Sequence, residues 1–307
     1  MGTEAPARLE PGAELFEAAQ YAVALEFFNS VSRGSDGAWI DYFVGRIHLQ
    51  GAEVDEAIGR LQASTEADPQ SSLFALWLGE AYVQKIDEVG LLKKLSVAKK
   101  ARTSFERAVE LGPRDFEARR ALVGYYLNAP AVAGGGREKA VEQAMAMMKL
   151  DTAQGHRLMG RIHVEEEDWQ VAAREYRLAI DAGDRSSAAY YWLGFVLQQS
   201  EDWDSAFEAF ESSIQADAGN LASYYQLGRT AVFSRSRLDR AVECLSFYLE
   251  QPPQRGSPDA EHAHWRLGMV YELQDMDSLA AAEYRKALAL DPTHEDARKA
   301  LKALGST

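Results

Sequence analysis

Residues 267–292 read LGMVYELQDMDSLAAAEYRKALALDP, and the spacing within this stretch decides the fold. Leu267 and Gly268 stand four and three positions before Tyr271, and Ala280, Tyr284 and Ala287 repeat the same steps. Spacings of three and four gather side chains on one face of a helix. The stretch is therefore two amphipathic helices joined by a tight polar turn around Asp275 and Asp277. It closes on Asp291-Pro292, because a proline cannot continue a helix and pushes the residue before it out of helical geometry.

The pattern recurs along the chain. Small residues stand at Gly45, Gly79, Gly160, Gly194, Gly228 and Gly268, and the steps 45 to 79, 160 to 194 and 194 to 228 are each 34 residues. A second series, Ala57, Ala101, Ala140, Ala172, Ala206, Ala241 and Ala280, is followed four residues later by Leu61, Phe105, Ala144, Tyr176, Phe210, Leu245 and Tyr284. Three residues further come Ser64, Ala108, Met147, Ala179, Ser213, Tyr248 and Ala287, and several repeats close on Pro69, Pro113, Pro253 and Pro292. A glycine fits where two helices cross most closely, and a larger side chain there would over-pack the contact by about 1–3 kcal/mol. Each large residue contributes about 1.5–3 kcal/mol when fully buried. A lone hairpin cannot bury its apolar face, so such units stack.

This pattern resembles the tetratricopeptide repeat, most clearly in Leu78-Gly79 with Ala81-Tyr82 and in 267–292, and it runs over nearly the whole chain. The resemblance implies an all-α fold: a right-handed superhelical solenoid of about eight helix hairpins with a C-terminal capping helix. Read as one solenoid over 1–307, the repeats fall at about 5–37, 38–71, 72–115, 116–152, 153–186, 187–220, 221–257 and 258–294, with the cap at 295–305. Pro11 and Gly12 are expected to interrupt and shorten the first helix. The tetrapeptide Gly-Arg-Ile-His, at 45–48 and 160–163, then separates into parts. Gly45 and Gly160 serve helix crossing, His48 and His163 replace a packing tyrosine of the family, and Arg46 and Arg161 remain as binding candidates.

Totals exclude several functions. Of 307 residues, 47% are hydrophobic and 26% charged, as in folded proteins. A net charge of −14 would repel a phosphate backbone, so no nucleic acid is expected. No run approaches the roughly 18 apolar residues of a membrane span. The single cysteine, Cys244, cannot close an internal disulfide and reads as a structural thiol. His156 with His163, and His262 with His264, lack the further ligands that zinc needs, so no metal, cofactor or catalytic residue is expected and the chain is read as no enzyme. The start MGTEAPARLEPGAELF carries no signal peptide. Met1-Gly2-Thr3 leaves two compartments open, the periplasm if a leader has been removed and the cytoplasm otherwise.

Two repeats depart from the period. The step from Gly79 to Ala101 is 22 residues against 12 or 13 elsewhere, which predicts about ten extra residues between the helices of the third repeat. Lys93, Lys94, Lys99, Lys100 and Arg102 lie there, in a window from 89 to 105 that holds no acid. The fourth repeat has an enlarged turn, NAPAVAGGGREK, with Gly134, Gly135 and Gly136 before Arg137 and Lys139. The two insertions should touch. They read either as a basic rim that binds a small anion at a helix N-terminus, or as the wet face of a lengthened helix beside a plain turn. This combination is similar to a group of uncharacterised bacterial tetratricopeptide proteins. That group brings no established activity, and many of its members look exported.

The resemblance further implies that the first helix of each hairpin lines a concave groove for a protein or peptide. Its ligand-facing positions map onto Trp39, Tyr42, Arg46, Arg120, Arg157, Arg161, Tyr191, Phe195, Tyr225, Arg229, Trp265 and Met269. Arginines and aromatics are the side chains that most often carry interface energy. The expected partner therefore bears acidic and aromatic or aliphatic residues. The competing reading pairs these arginines with acids of neighbouring helices, such as Glu80, and packs the tyrosines between repeats. Chaperone-binding members use a lysine and asparagines to clamp two carboxylates, whereas Tyr42, Arg46 and Trp77 stand at those positions here.

Overall fold

The computed structural model describes residues 5–252 and 258–305; Pro253 of the closing prolines and the Met1-Gly2-Thr3 start lie outside the described residues. Among the described residues there are seventeen α-helices and no strand. They are α1 (Glu10–Glu17), α2 (Tyr21–Ser30), α3 (Gly37–Gln50), α4 (Val54–Ala67), α5 (Ser72–Glu88), α6 (Leu91–Leu111), α7 (Phe116–Asn128) and α8 (Arg137–Met148). After them come α9 (Thr152–Glu165), α10 (Trp169–Asp181), α11 (Ser187–Gln199), α12 (Trp203–Ala216), α13 (Leu221–Ser234), α14 (Leu238–Glu250), α15 (Ala260–Leu273), α16 (Asp277–Leu290) and α17 (Glu295–Leu304).

The chain divides into two compact units, Met1–Ile162 and His163–Thr307, with the division inside α9. In the first unit α1 packs on α2, α3 on α4, α5 on α6 and α7 on α8; in the second α11 packs on α12, α13 on α14 and α15 on α16, with α17 laid on α16. Each unit is thus a run of helix hairpins.

The crossings follow from the glycines. A methyl added to Gly45 would stand 2.7 Å from Leu61 Cγ, and one on Gly79 2.5 Å from Phe105 Cε1. On Gly194, Gly228 and Gly268 it would stand 2.8, 2.5 and 2.5 Å from Phe210, Leu245 and Tyr284. Each of those five large side chains is at most 2% exposed, and the seven marker alanines are wholly buried. Packing this close leaves no room for a carbon, so the periodic glycine is a steric requirement.

The turns have their own chemistry. Ala19, Ala52, Glu167, Glu201 and Asp275 all adopt a left-handed backbone with φ between 56° and 59°. The N–H of the next residue then donates to the carbonyl five positions back, as Glu53 does to His48 at 2.9 Å and Met276 to Tyr271 at 2.9 Å. These bonds satisfy carbonyls that the helix end leaves open. Asp168 and Asp202 cap the following helices by accepting the N–H of Val171 and Ser205.

Two local expectations need correction. Pro11 does not interrupt α1 but sits in its first turn, where the missing N–H has no intrahelical acceptor to lose. Gly12 packs against α2, since a methyl there would lie 2.4 Å from Phe27 Cδ1. The extra residues of the third repeat do not stand between its helices either, which agrees with the lengthened-helix reading. They lengthen its helices, α5 to 17 residues and α6 to 21, joined by Val89-Gly90. The reason is visible in the spacing: Leu91, Leu95, Ala98, Ala101, Phe105 and Ala108 extend one apolar stripe backwards by three and four.

Candidate functional site

In the first unit the mapped residues part company. Tyr42 is 3% exposed and belongs to the core, with Trp39 set against it edge-on at 5.5 Å and against Phe74 at 5.1 Å. Arg46 is held among rings: its guanidinium lies 4.2 Å from the centroid of Phe16 and 4.1 Å from that of Trp77, and Nη1 donates to Tyr42 Oη at 2.8 Å. Burial pushes the Tyr42 phenol above its usual range, against the pull of Arg46. Arg157 stacks 3.6 Å above Phe116. These arginines bind aromatic faces of their own unit.

Arg120 and Arg161 are placed differently. Both line a cavity of about 630 Å³ whose walls are mainly apolar. Val83 and Ile86 of α5, Leu91 and Leu95 of α6, Gly124 and Tyr125 of α7, and Val132 after Pro130 form it. The cavity exists because α5 and α6 are long and because the chain turns back over them at 130–134. Leu91, Leu92 and Val132 are 83%, 98% and 68% exposed, an unusual gathering of open apolar surface. Arg120 Nε donates to Glu117 at 2.7 Å. Glu80 in the cavity wall has its carboxyl raised above the usual range by burial, which Arg120 opposes and Glu117 reinforces.

The insertions do touch, through Arg102 Nη1 and the carbonyl of Ala133 at 3.5 Å. Their charged side chains make several separate contacts. Lys94 lines the cavity, Lys93 and Lys99 are exposed, and Lys100 Nζ sits 5.4 Å from the Tyr82 ring. Arg102 pairs with Glu106 at 3.5 Å, and Lys139 Nζ donates to Gly134 O at 2.8 Å, while Arg137 is exposed. The amides of Gly134 and Gly135 donate to Ala131 and Pro130 within the turn, and that of Gly136 donates to Tyr126 of α7. Gly135 is required there because a methyl would fall 1.8 Å from Ala129 O.

In the second unit α13 packs on both α11 and α15, so three first helices lie side by side. Tyr225 is 8% exposed and packs on Tyr248, 5.6 Å away between centroids. Tyr191, Phe195, Trp265 and Met269 are half-buried. Arg229 Nη1 donates to Gln198 Oε1 at 2.9 Å and to Gln226 Oε1 at 3.4 Å. Gln198 is itself fixed, its amide donating to Thr230 Oγ1 at 2.7 Å. The mapping missed Arg266, whose guanidinium lies 4.2 Å from the Trp265 ring. A signal existed: Arg266 precedes Met269 by three residues, one helical turn back on the same face.

The remaining reactive groups are structural in their contacts. His48 pairs with Glu53 at 2.5 Å and His163 with Glu166 at 3.1 Å. Cys244 is wholly buried, which pushes its thiol up to about 12. Among the described residues no group of three or more His, Cys, Asp or Glu could hold a metal, and no helix is long and apolar enough to cross a membrane.

Comparison with known proteins places this geometry. The tetratricopeptide repeat model matches residues 45–86, 157–220 and 225–295, more than half of the chain. Among solved structures, the human IFIT1 dimer with PPP-AAAA is similar at 17% identity and a TM-score of 0.56, covering 95% of this chain and 71% of that one. The Cut9–Hcn1 hetero-tetramer of the APC/C is similar at 15% identity and a TM-score of 0.56, over 92% of this chain and 52% of that one, so this chain spans about half its length. A tetratricopeptide repeat protein from Parabacteroides merdae is similar at 12% identity and a TM-score of 0.46, over 88% and 99%. No curated protein matches.

Proposed function

This chain belongs to the tetratricopeptide repeat family, and from that premise we propose that it is a non-catalytic scaffold which holds a segment of a partner protein, seating apolar side chains in the cavity of the first unit. The observation that carries the reading is that cavity: about 630 Å³, apolar in its walls, with Arg120 and Arg161 among them. A volume of this size accommodates a few large side chains, and the two arginines can orient the segment through its backbone carbonyls or an acid. The half-buried aromatics and Arg229 of the second unit offer the same chemistry on its first helices. Rigid anchors limit the ordering lost on binding.

The test uses Gly124, which lines the cavity and where an added carbon meets nothing within 4 Å. Gly124→Leu extends a side chain from an unobstructed Cβ position in the cavity lining and removes a helical glycine, so thermal stability should rise by about 0.5–1 kcal/mol. Peptides selected on the wild-type chain from a random display library should lose binding to this variant and to Arg161→Glu. Selected peptides that bind Gly124→Leu and Arg161→Glu as they bind wild type would overturn the reading.

A further inference from the structure

Arg229 on α13 and Arg266 on α15 are two cations that share one aromatic ring and, among the described residues, have no carboxylate within ion-pair distance. Both guanidiniums lie 5.3 Å from the centroid of the Phe233 ring, and both residues are half-buried. The hydrogen bonds of Arg229 leave from Nη1 alone and reach two neutral amides. Arg266 Nη1 meets only the sulfur of Met269, at 3.7 Å, and its Nε is buried without a partner. No ion pair involves either arginine among the described residues. The charges that reach Arg229 are Arg266 and the phenols of Tyr191 and Tyr225; burial and Arg266 together draw its proton affinity down.

The contrast within the chain is sharp. Arg240, on the second helix α14, grips Glu211 with Nε and Nη2 at 2.7 and 3.0 Å and holds Glu243 with Nη1 at 2.8 Å. Arg46, at the position equivalent to Arg229, rests between aromatic faces. A chain with 47 acids and 33 lysines and arginines could have supplied a counter-ion at little expense. Two half-buried like charges without one destabilise the free protein.

We infer that Arg229 and Arg266 together bind the side-chain carboxylate of an Asp or Glu in a partner segment, which takes the place of the missing counter-ion. This rests on the scaffold reading above and names a second, acidic contact for it. A carboxylate presents two oxygens to two planar forks, whose remaining N–H groups can each form charge-assisted bonds. The Trp265 ring lies 4.2 Å from the Arg266 guanidinium and the Tyr191 phenol within electrostatic reach of Arg229, and partial burial of both arginines strengthens such bonds over those in open water. Gln198 is a positioning residue: it holds Arg229 through Nη1 and leaves the Nη2 edge to the ligand. The acid is one that an unmodified protein segment carries, in keeping with the family's protein partners.

Short poly-L-glutamate is the probe, titrated calorimetrically onto the full chain at low ionic strength. The acid-free lysines at 93–100 offer poly-glutamate a second cationic surface, so the pair is read from the part of the binding that Arg229 and Arg266 substitutions remove. Arg229→Gln and Arg266→Gln should each weaken it about tenfold or more, as loss of a charge-assisted bond implies. Each should also leave melting temperature unchanged or raised, because one of two repelling charges is gone. Arg240→Gln should lower the melting temperature and leave poly-glutamate binding intact. Equal poly-glutamate binding by wild type, Arg229→Gln and Arg266→Gln would overturn the proposal, as would a loss of stability in them matching Arg240→Gln. Tighter binding of a phosphoserine peptide than of its glutamate counterpart would overturn the choice of carboxylate. Gly124→Leu keeps the two readings apart: if it abolishes selected peptides while Arg266→Gln does nothing, the scaffold stands and the acid contact falls. If poly-glutamate binding depends on Arg266 while Gly124→Leu changes no selected peptide, the acid contact stands alone.

Discussion

Glu80 shows how one side chain in the cavity wall records what the cavity lacks. Burial raises its carboxyl above 4.5, Arg120 opposes the shift and Glu117 adds to it. Sign follows from linkage: the unfolded chain ionises Glu80 first as pH rises, so folding loses stability from about pH 4.5 upward until the folded group has also ionised. Gln at this position does not titrate. Glu80→Gln should therefore melt higher than wild type at pH 7, with the difference shrinking toward pH 4. A difference that stays constant with pH would show that burial does not penalise the charge. At this scale the sequence was legible for packing and poor for partners. Gly268 and Tyr284 announced their contact by periodicity alone. Arg46 did not announce its cage, because Phe16 and Trp77 come from two other hairpins and no local spacing encodes that meeting.

Among elements, the three-residue hairpin turns carry a shared strain. Asp275 holds φ at 59° in a conformation that places Cβ close to the following carbonyl, a penalty of about 1–2 kcal/mol for a residue with a side chain. Glycine pays no such penalty but loses more freedom on folding. Asp275→Gly should accordingly gain about 0.5–1 kcal/mol in denaturant melts. Gln274→Gly, at φ −95°, should lose a similar amount. If both substitutions destabilise alike, the left-handed backbone carries no strain. Helix length was the harder element to read. The excess between Gly79 and Ala101 was visible as a number, yet the number alone left a basic rim between the helices and a lengthened helix both open. The apolar stripe from Leu91 to Ala108 decides for the lengthened helix, and the cavity depends on α6 at its full length.

For the whole molecule, repeat period, helix content and family were legible from one stretch of 26 residues, because five hairpins solve the same packing problem with a glycine set against a large apolar side chain. The division at Ile162 was not, since α9 keeps the period while the cores on either side of it are built from separate sets of side chains. Charge acts at this scale too. An excess of 14 acids repels itself in the folded state more than in the expanded one, and salt screens that repulsion over a Debye length of about 10 Å at 0.1 M. Raising NaCl from about 0.01 M to 0.2 M should therefore raise the melting temperature. The same salt should weaken poly-glutamate at Arg229 and Arg266, because there the attraction is screened. Opposite responses in one titration separate a site of uncompensated cations from general self-repulsion. Stability and binding that fall together with added salt would mean that structural ion pairs such as Arg33–Asp41 outweigh the net charge.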